Sequence, residues 1–147
     1  MVEELIKLLD DQLKYISHEI DGATIIVRVE SARNSAVCPY CATESEKVHS
    51  RYERSIYDLP ICGKKTRIVI HRRKFFCMNA ECSKKTYAED FKFMQPRATK
   101  TGRLQDEILK VSLTQSSVSA AKYLRNSVTE VSKSTVCNML RDREKKS

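Results

Sequence analysis

Two cysteine pairs carry the chemistry that this chain can do. The first reads Cys38-Pro39-Tyr40-Cys41 and the second Cys77-Met78-Asn79-Ala80-Glu81-Cys82. Each pair brackets a short loop that can fold back as a knuckle, with both sulfurs turned to one point. Zn²⁺ takes four soft ligands in a tetrahedron, and two knuckles supply them. Residues 42–76 lie between the pairs, enough chain for a hairpin that brings them together. The expected site is therefore one structural zinc ion on Cys38, Cys41, Cys77 and Cys82. His49 and His71 are zinc-ligand types, but four cysteines already fill the tetrahedron. Cys62 has no close partner in the sequence and reads as a structural thiol, and Cys137 lies too far along the chain to pair with the zinc site.

Two other uses of the cysteines compete with zinc. Disulfides need an oxidising compartment, and the start, Met-Val-Glu-Glu-Leu-Ile-Lys-Leu-Leu-Asp, has acids where an export signal has a basic region. A cytoplasmic chain with reduced thiols, nucleoid-associated if it binds DNA, is the expectation. Cys-Pro-Tyr-Cys is also the redox pair of glutaredoxin-like thiol oxidoreductases, with residues 25–30 as the preceding strand. That alternative needs a cis-proline facing the pair, has only Asp-Leu-Pro-Ile at Pro60 to offer, and leaves Cys77 and Cys82 unexplained.

Charge points to the partner. The 147 residues carry a net charge of +8. Residues 1–37 hold four Lys/Arg against seven Asp/Glu, net −3. Residues 38–91 hold eleven against seven, net +4, and residues 92–147 twelve against five, net +7. Positive charge thus rises along the chain, which fits an anionic partner held by its later parts, nucleic acid first. No apolar run approaches the roughly 20 residues of a membrane span. With no Trp and few aromatics, a single large core is not expected, and small modules of this kind need a staple.

The elements that must position the cysteines follow from periodicity. Val2, Leu5, Ile6, Leu8, Leu9 and Leu13 are spaced as one helical face over residues 2–13. Residues 14–20 and 25–30 alternate as strands, and Asp21-Gly22 marks a tight turn between them. Residues 47–58 read as a charged strand that Pro60 ends, because proline cannot continue a ladder. Gly63-Lys64-Lys65 turns the chain, and residues 66–76 return as a strong strand that delivers Cys77 to the site. Arg72, Arg73 and Lys74 form a basic run beside two Phe, suited to phosphates or to guarding a strand edge. Thr86-Tyr87-Ala88-Glu89 and Phe91 are expected to pack on the zinc module.

Residues 96–103, Pro-Arg-Ala-Thr-Lys-Thr-Gly-Arg, read as a basic linker whose Arg97, Lys100 and Arg103 can lie along a nucleic-acid backbone. Three helical patterns follow. Leu104, Ile108, Val111 and Leu113 stripe the first. Ala120, Ala121 and Leu124 face inward on the second, over residues 117–125, which Asn126 ends in a left-handed conformation. Ser132 caps the third, residues 133–143. Val136 and Leu140 face its core, leaving Lys133, Ser134, Asn138 and Arg141 outward, side chains that reach phosphates and base edges.

The fold class is therefore α+β: a β-hairpin-rich, four-cysteine, zinc-ribbon-like module followed by a three-helix helix-turn-helix domain. The divisions are residues 1–35, an N-terminal helix and hairpin; 36–95, the zinc module; 96–103, the linker; and 104–143, the helix-turn-helix domain.

Taken in order, these residues resemble a known family. Cys38-Pro39-x-Cys41, Arg54 with Asp58-Leu59-Pro60, Gly63-Lys64, Arg73-x-Phe75-x-Cys77, Cys82 and Thr86-Tyr87-Ala88-Glu89 resemble the N-terminal zinc finger of ISL-three family bacterial insertion-sequence transposases. Arg97, Thr101, Leu104 and Ser132-x-Ser134-Thr135-Val136 resemble the helix-turn-helix that follows it there. The resemblance implies sequence-specific binding of double-stranded DNA at terminal inverted repeats, with zinc on the four cysteines. A stand-alone regulator of transcription or transposition with the same fold is the alternative role. Such transposases continue into an RNase-H-like domain whose carboxylates hold two metal ions. This sequence leaves no room for one before Ser147, so no catalytic residue is expected. A homodimer or a catalytic transposase subunit stays open as a further partner.

Overall fold

A computed structural model of the chain describes residues 2–95 and 97–146. Pro96, the first residue of the expected linker, lies outside the described residues, as do the side chains of Val2 and of residues 144–146. Helix α1 spans Val2–Leu9 and buries Ile6. Leu13 does not extend its stripe. The Asp10 carboxylate accepts from the Gln12 N–H at 2.8 Å, a local turn that competes with the helix. Leu13 instead begins strand β1, Leu13–Asp21, which pairs antiparallel with β2, Thr24–Ser31. Gly22, at φ 59°, takes the left-handed position that a two-residue hairpin turn requires. The register slips between Tyr15 and Ser17, and this bulge leaves Ile16 facing out.

Strands β3, Ala36–Val37, and β4, Glu44–Ser45, form a small two-stranded sheet around the first knuckle. Strand β5, Val48–Ile61, and β6, Lys64–Phe76, form the long central hairpin. Cys62 and Gly63 make its turn, both at positive φ. Pro60 does not end β5 as expected. The pairing jumps from Asp58 to Ile61, so the proline sits in a bulge where no ladder hydrogen bond is asked of it. Strand β7, Thr86–Ala88, pairs with the end of β6. Strand β2 pairs parallel with β6, giving the sheet order β1-β2-β6-β5. The N-terminal hairpin and the central hairpin therefore share one sheet, which runs across the expected boundary at residue 35.

One face of that sheet is apolar: Ile25, Val27, Val29, Ile56, Ile68 and Ile70. Ile6, Phe91, Phe93 and Met94 cover it. Phe91 thus packs on the sheet core and not on the zinc module, whereas Tyr87 joins Ala36, Cys38 and Phe75 beside the cysteines.

Helices α2, Gly102–Ser112, α3, Ser117–Ser127, and α4, Lys133–Lys146, surround a second core. Leu104, Ile108, Ala120, Ala121, Leu124 and Val136 fill it, closed by Val128 and Val131 from the α3–α4 connection. Ala120 and Ala121 are small enough to let the helices approach closely. Leu113, placed in the apolar stripe by periodicity, is exposed at the end of α2. Asn126 is helical and does not stop α3. The helix ends when Val128 turns into the core, its N–H still bonded to the Leu124 carbonyl at 2.8 Å. Ser132 caps α4 as expected, its hydroxyl accepting from the Thr135 N–H at 3.1 Å. No helix of the described residues is long and apolar enough to cross a membrane.

The helices are joined to the sheet through Asp58, whose carboxylate is 2% exposed. It accepts from the Thr101 hydroxyl at 2.7 Å and from Arg103 Nε at 2.8 Å, with Arg103 Nη2 on its second oxygen. Thr101 is also the N-cap of α2, accepting from the Leu104 N–H. Residues 97–101, expected as a linker, run along β5: Tyr57 donates its N–H to Thr99, Thr101 donates back to Tyr57, and Arg54 donates to the Ala98 carbonyl. Removing one partner of a buried ion pair strands the other, discounted here because Arg103 is 39% exposed. Asp58→Ala is expected to cost about 2–4 kcal/mol. A double-mutant cycle with Arg103→Ala in chemical denaturation checks it: the two losses should add to clearly more than the double mutant loses, and strict additivity would rule the joint out.

Candidate metal centre and nucleic-acid interface

Two elements present the first cysteine pair, and each fixes its knuckle by backbone hydrogen bonds. The Cys38 N–H donates to the Thr43 carbonyl at 2.9 Å and the Ala42 N–H to the Cys38 carbonyl at 2.8 Å. Ala42 accepts a positive φ of 62° to close this turn between β3 and β4. The second pair follows β6 directly. The Cys77 N–H donates to Lys85 at 2.8 Å and the Cys82 N–H to Asn79 at 3.1 Å, while the Asn79 side chain accepts from the Glu81 N–H. Tyr87 donates its hydroxyl to the Ala36 carbonyl at 2.6 Å and ties β7 to β3 beneath the site.

The four sulfurs meet. Cys38 Sγ lies 4.0 Å from Cys82 Sγ, Cys41 Sγ lies 3.5 Å from Cys77 Sγ, and all four lie within 4.8 Å of one another. A tetrahedral zinc with bonds of about 2.3 Å requires sulfurs about 3.8 Å apart, so the cluster fits the ion. Cys38 is buried and the other three are half-buried.

The protonation pattern shows why this donor set suits a cation. Hydrogen bonds from the Thr43 side chain and backbone favour the Cys41 thiolate and, against some burial, bring it down to about 6. At Cys77 the Asn79 backbone N–H favours the thiolate, but burial and the neighbouring Cys41, Cys82 and Cys38 sulfurs outweigh it and push it up to about 12. At Cys82 the Lys84 backbone N–H, with Cys77, favours the thiolate, but burial and the Cys41 and Cys38 sulfurs outweigh them and push it up. By themselves the sulfurs resist ionising together. A divalent ion at their centre removes that conflict, since coordinating thiols are deprotonated by the metal.

The histidines stand apart from the cluster. His49 meets the Phe76 ring edge-on at 4.8 Å, His71 Nε2 lies 3.2 Å from a Glu53 carboxylate oxygen, and His18 is bonded to the Tyr15 hydroxyl. Cys62 sits exposed in the β5–β6 turn and Cys137 lies on α4. Cys41 is followed by β4 and not by a helix, and its sulfur faces Cys77. The arrangement of a glutaredoxin-like redox pair is therefore not formed.

The candidate DNA-contacting residues divide into two groups. Arg72 is 4% exposed and donates to the Glu89 carbonyl at 2.5 Å. Arg73 grips the Glu89 carboxylate with Nε at 3.2 Å and Nη2 at 3.0 Å, and Arg33 reaches the same carboxylate at 3.2 Å. Arg103 is held by Asp58. Arg72, Arg73 and Arg103, like Arg33, thus make contacts within the protein. Lys74, Arg97, Lys133, Ser134, Asn138 and Arg141 are exposed, and Lys100 is half-buried, with its backbone bridged to Tyr57.

Asp58 and the fully buried Glu89 stand inside the family resemblance, but their role in pairing these arginines is not read from it. Strand alternation carries the signal: Asp58 stands two residues from buried Ile56 and Glu89 two from buried Tyr87, so each carboxylate points inward.

Replacing any of Cys38, Cys41, Cys77 or Cys82 with Ser is expected to release the metal and unfold residues 34–90. Cys62→Ser and Cys137→Ser should each retain one zinc per chain. Metal analysis of freshly reduced protein with circular dichroism reads both, and zinc retained by a Cys77→Ser variant would contradict the ligand set.

Comparison with known proteins agrees with this centre. No curated protein and no solved structure matches the chain. Residues 34–82 match the family model described as the zinc-finger of transposase IS204/IS1001/IS1096/IS1165, a span that begins just before β3 and ends on Cys82. This segment is therefore similar to the zinc finger of that transposase family, and its four-cysteine cluster supports one structural zinc ion.

Proposed function

We propose that the chain is the DNA-binding, non-catalytic part of a transposase and that it recognises the terminal inverted repeats of a mobile element. The observation that carries the reading is the transposase zinc finger at residues 34–82. The zinc module does no chemistry in this account. Its ion holds the knuckles, and through β6 and the Asp58 joint the sheet presents α2–α4 in a fixed orientation.

Helices α2–α4 act as a helix-turn-helix unit, with α4 as the recognition helix. Its inward residues, Val136 and partly Leu140, belong to the trihelical core. Lys133, Ser134, Asn138 and Arg141 are exposed on it. Its N-terminal turn contains no acid that would repel a phosphate. In a major groove Asn138 pairs with a base edge and Arg141 with a guanine or a phosphate. Lys100 and Arg97, at the sheet end of α2, meet the backbone. Arg73 and Arg103 serve instead as internal struts.

Base and phosphate contacts fail differently. Losing a base contact costs about 1–3 kcal/mol and relaxes preference at one position. Losing a phosphate contact weakens all sequences alike and lowers the salt slope by about one unit. Asn138→Ala is expected to flatten sequence preference, and Lys100→Ala to weaken selected and scrambled duplexes equally. Binding titrations of both variants at several salt concentrations decide it. If the two behave alike, or neither changes binding, α4 is not the recognition helix.

A further inference from the structure

We infer that a groove between the first zinc knuckle and the sheet holds an unpaired nucleic-acid strand, one or two nucleotides at a time. The groove encloses about 480 Å³ and runs from the knuckle across β5 and β6 to the segment before α2. Tyr40, Tyr52, Arg54, Arg72, Lys74 and Arg97 carry the argument, because they combine aromatic faces with positive charge on one concave wall.

The aromatic component is exposed where a soluble protein has no structural need of it. Tyr40 is 62% exposed at the tip of the knuckle, with Lys84 5.4 Å over its ring. Tyr52 is 36% exposed on β5, with the Arg72 guanidinium 5.9 Å over its ring. Neither ring belongs to one of the apolar cores. Bases stack on such rings whatever their sequence, since every base has a π-face.

The charge is also available. Lys74 and Arg97 have no acidic partner among the described residues. Arg54 is anchored by a single hydrogen bond to the Ala98 carbonyl. Arg72 is 4% exposed, and its Nε finds no hydrogen-bond acceptor although it lies against the groove. A buried N–H without a partner is costly, and a phosphate oxygen seated after a small side-chain shift would supply one. Asp90 is the one acid on this wall among the described residues, so four cations face a single carboxylate.

The shape selects between paired and unpaired strands. A concavity of this size lies within the roughly 300–1,000 Å³ of small-ligand pockets and admits a nucleotide, not a duplex. In a duplex the bases are stacked inward and would leave both tyrosine faces without a partner; in an unpaired strand those faces are free. The surface is distinct from the exposed residues of α4, so one chain can hold a duplex on α4 and a frayed or single-stranded end in the groove.

This inference rests on the DNA-binding reading only for the class of ligand. Its test uses the full zinc-loaded chain and a fluorescent deoxythymidine oligomer of about eight nucleotides, a length within single-strand site sizes, beside a blunt duplex carrying the preferred sequence. Tyr40→Ala and Tyr52→Ala should each weaken oligomer binding about five- to a hundredfold and leave the duplex affinity unchanged. Tyr40→Phe should bind as the parent does. Lys74→Ala should lower the oligomer salt slope by about 0.7, and Asn138→Ala should not affect the oligomer. Tyr52 lies outside the knuckle, so Tyr52→Ala keeps the test decisive if Tyr40→Ala loses zinc. Duplex binding without oligomer binding, or oligomer binding indifferent to Tyr52→Ala, overturns the groove and spares the DNA-binding reading. Binding to neither overturns both.

Discussion

Four sulfurs at one point are the constraint on which the rest of the molecule depends. The apolar material around them is slight: Ala36, Cys38, Phe75 and Tyr87, edged by Val48. A core of that size does not hold two loops and a two-stranded sheet against chain entropy. Structural zinc supplies apparent binding energy of about 10–16 kcal/mol in small domains, enough to replace the missing core. Because Cys77 follows Phe76 without a break, the ion also clamps the far end of β6, the strand that touches β2, β5 and β7. The metal thus fixes one end of the sheet and the Asp58 joint fixes the helices to the other.

The positive charge has an internal purpose as well as an external one. Glu89 is fully buried and is matched by Arg73 and Arg33; Asp58 is nearly so and is matched by Arg103. Buried carboxylates of this kind are tolerated only with paired, hydrogen-bonded cations. Arg72 also spans the cation–π distance to both Tyr52 and Phe91. Arg33, Arg73 and Arg103 are thus matched within the protein and are not the cations a nucleic acid would meet first. Among the candidate contact residues, Lys74 and Arg97 near the knuckle and Lys133 and Arg141 on α4 stay exposed, two separate surfaces with different chemistry.

Much of this was legible in the residues, and the gaps have physical causes. The cysteine pairs announced their meeting because zinc demands four soft ligands at a fixed separation. The two hairpins were legible through Gly22 and Gly63, where positive φ leaves few other residues acceptable. The parallel pairing of β2 with β6 was not, because β6 is apolar enough to pair on either side and nothing local names its neighbour. The passage of β5 through Pro60 was hidden by the same rule that usually stops a strand: a bulge suspends it. The basic run Arg72, Arg73, Lys74 looked uniform, yet alternation sends its members to opposite faces, and only Lys74 remains exposed. The segment before α2 looked like a linker by composition, while its backbone hydrogen bonds to Tyr57, invisible in side-chain types, tie it to β5.

The central claim is that one zinc ion on four cysteine sulfurs organises the chain. X-ray absorption at the zinc edge on the purified, reduced protein tests it most directly. The account predicts a first shell of four sulfur scatterers at about 2.3 Å, with no nitrogen or oxygen. A shell in which a histidine nitrogen or water replaces one sulfur, or protein that carries no zinc at all, would contradict it.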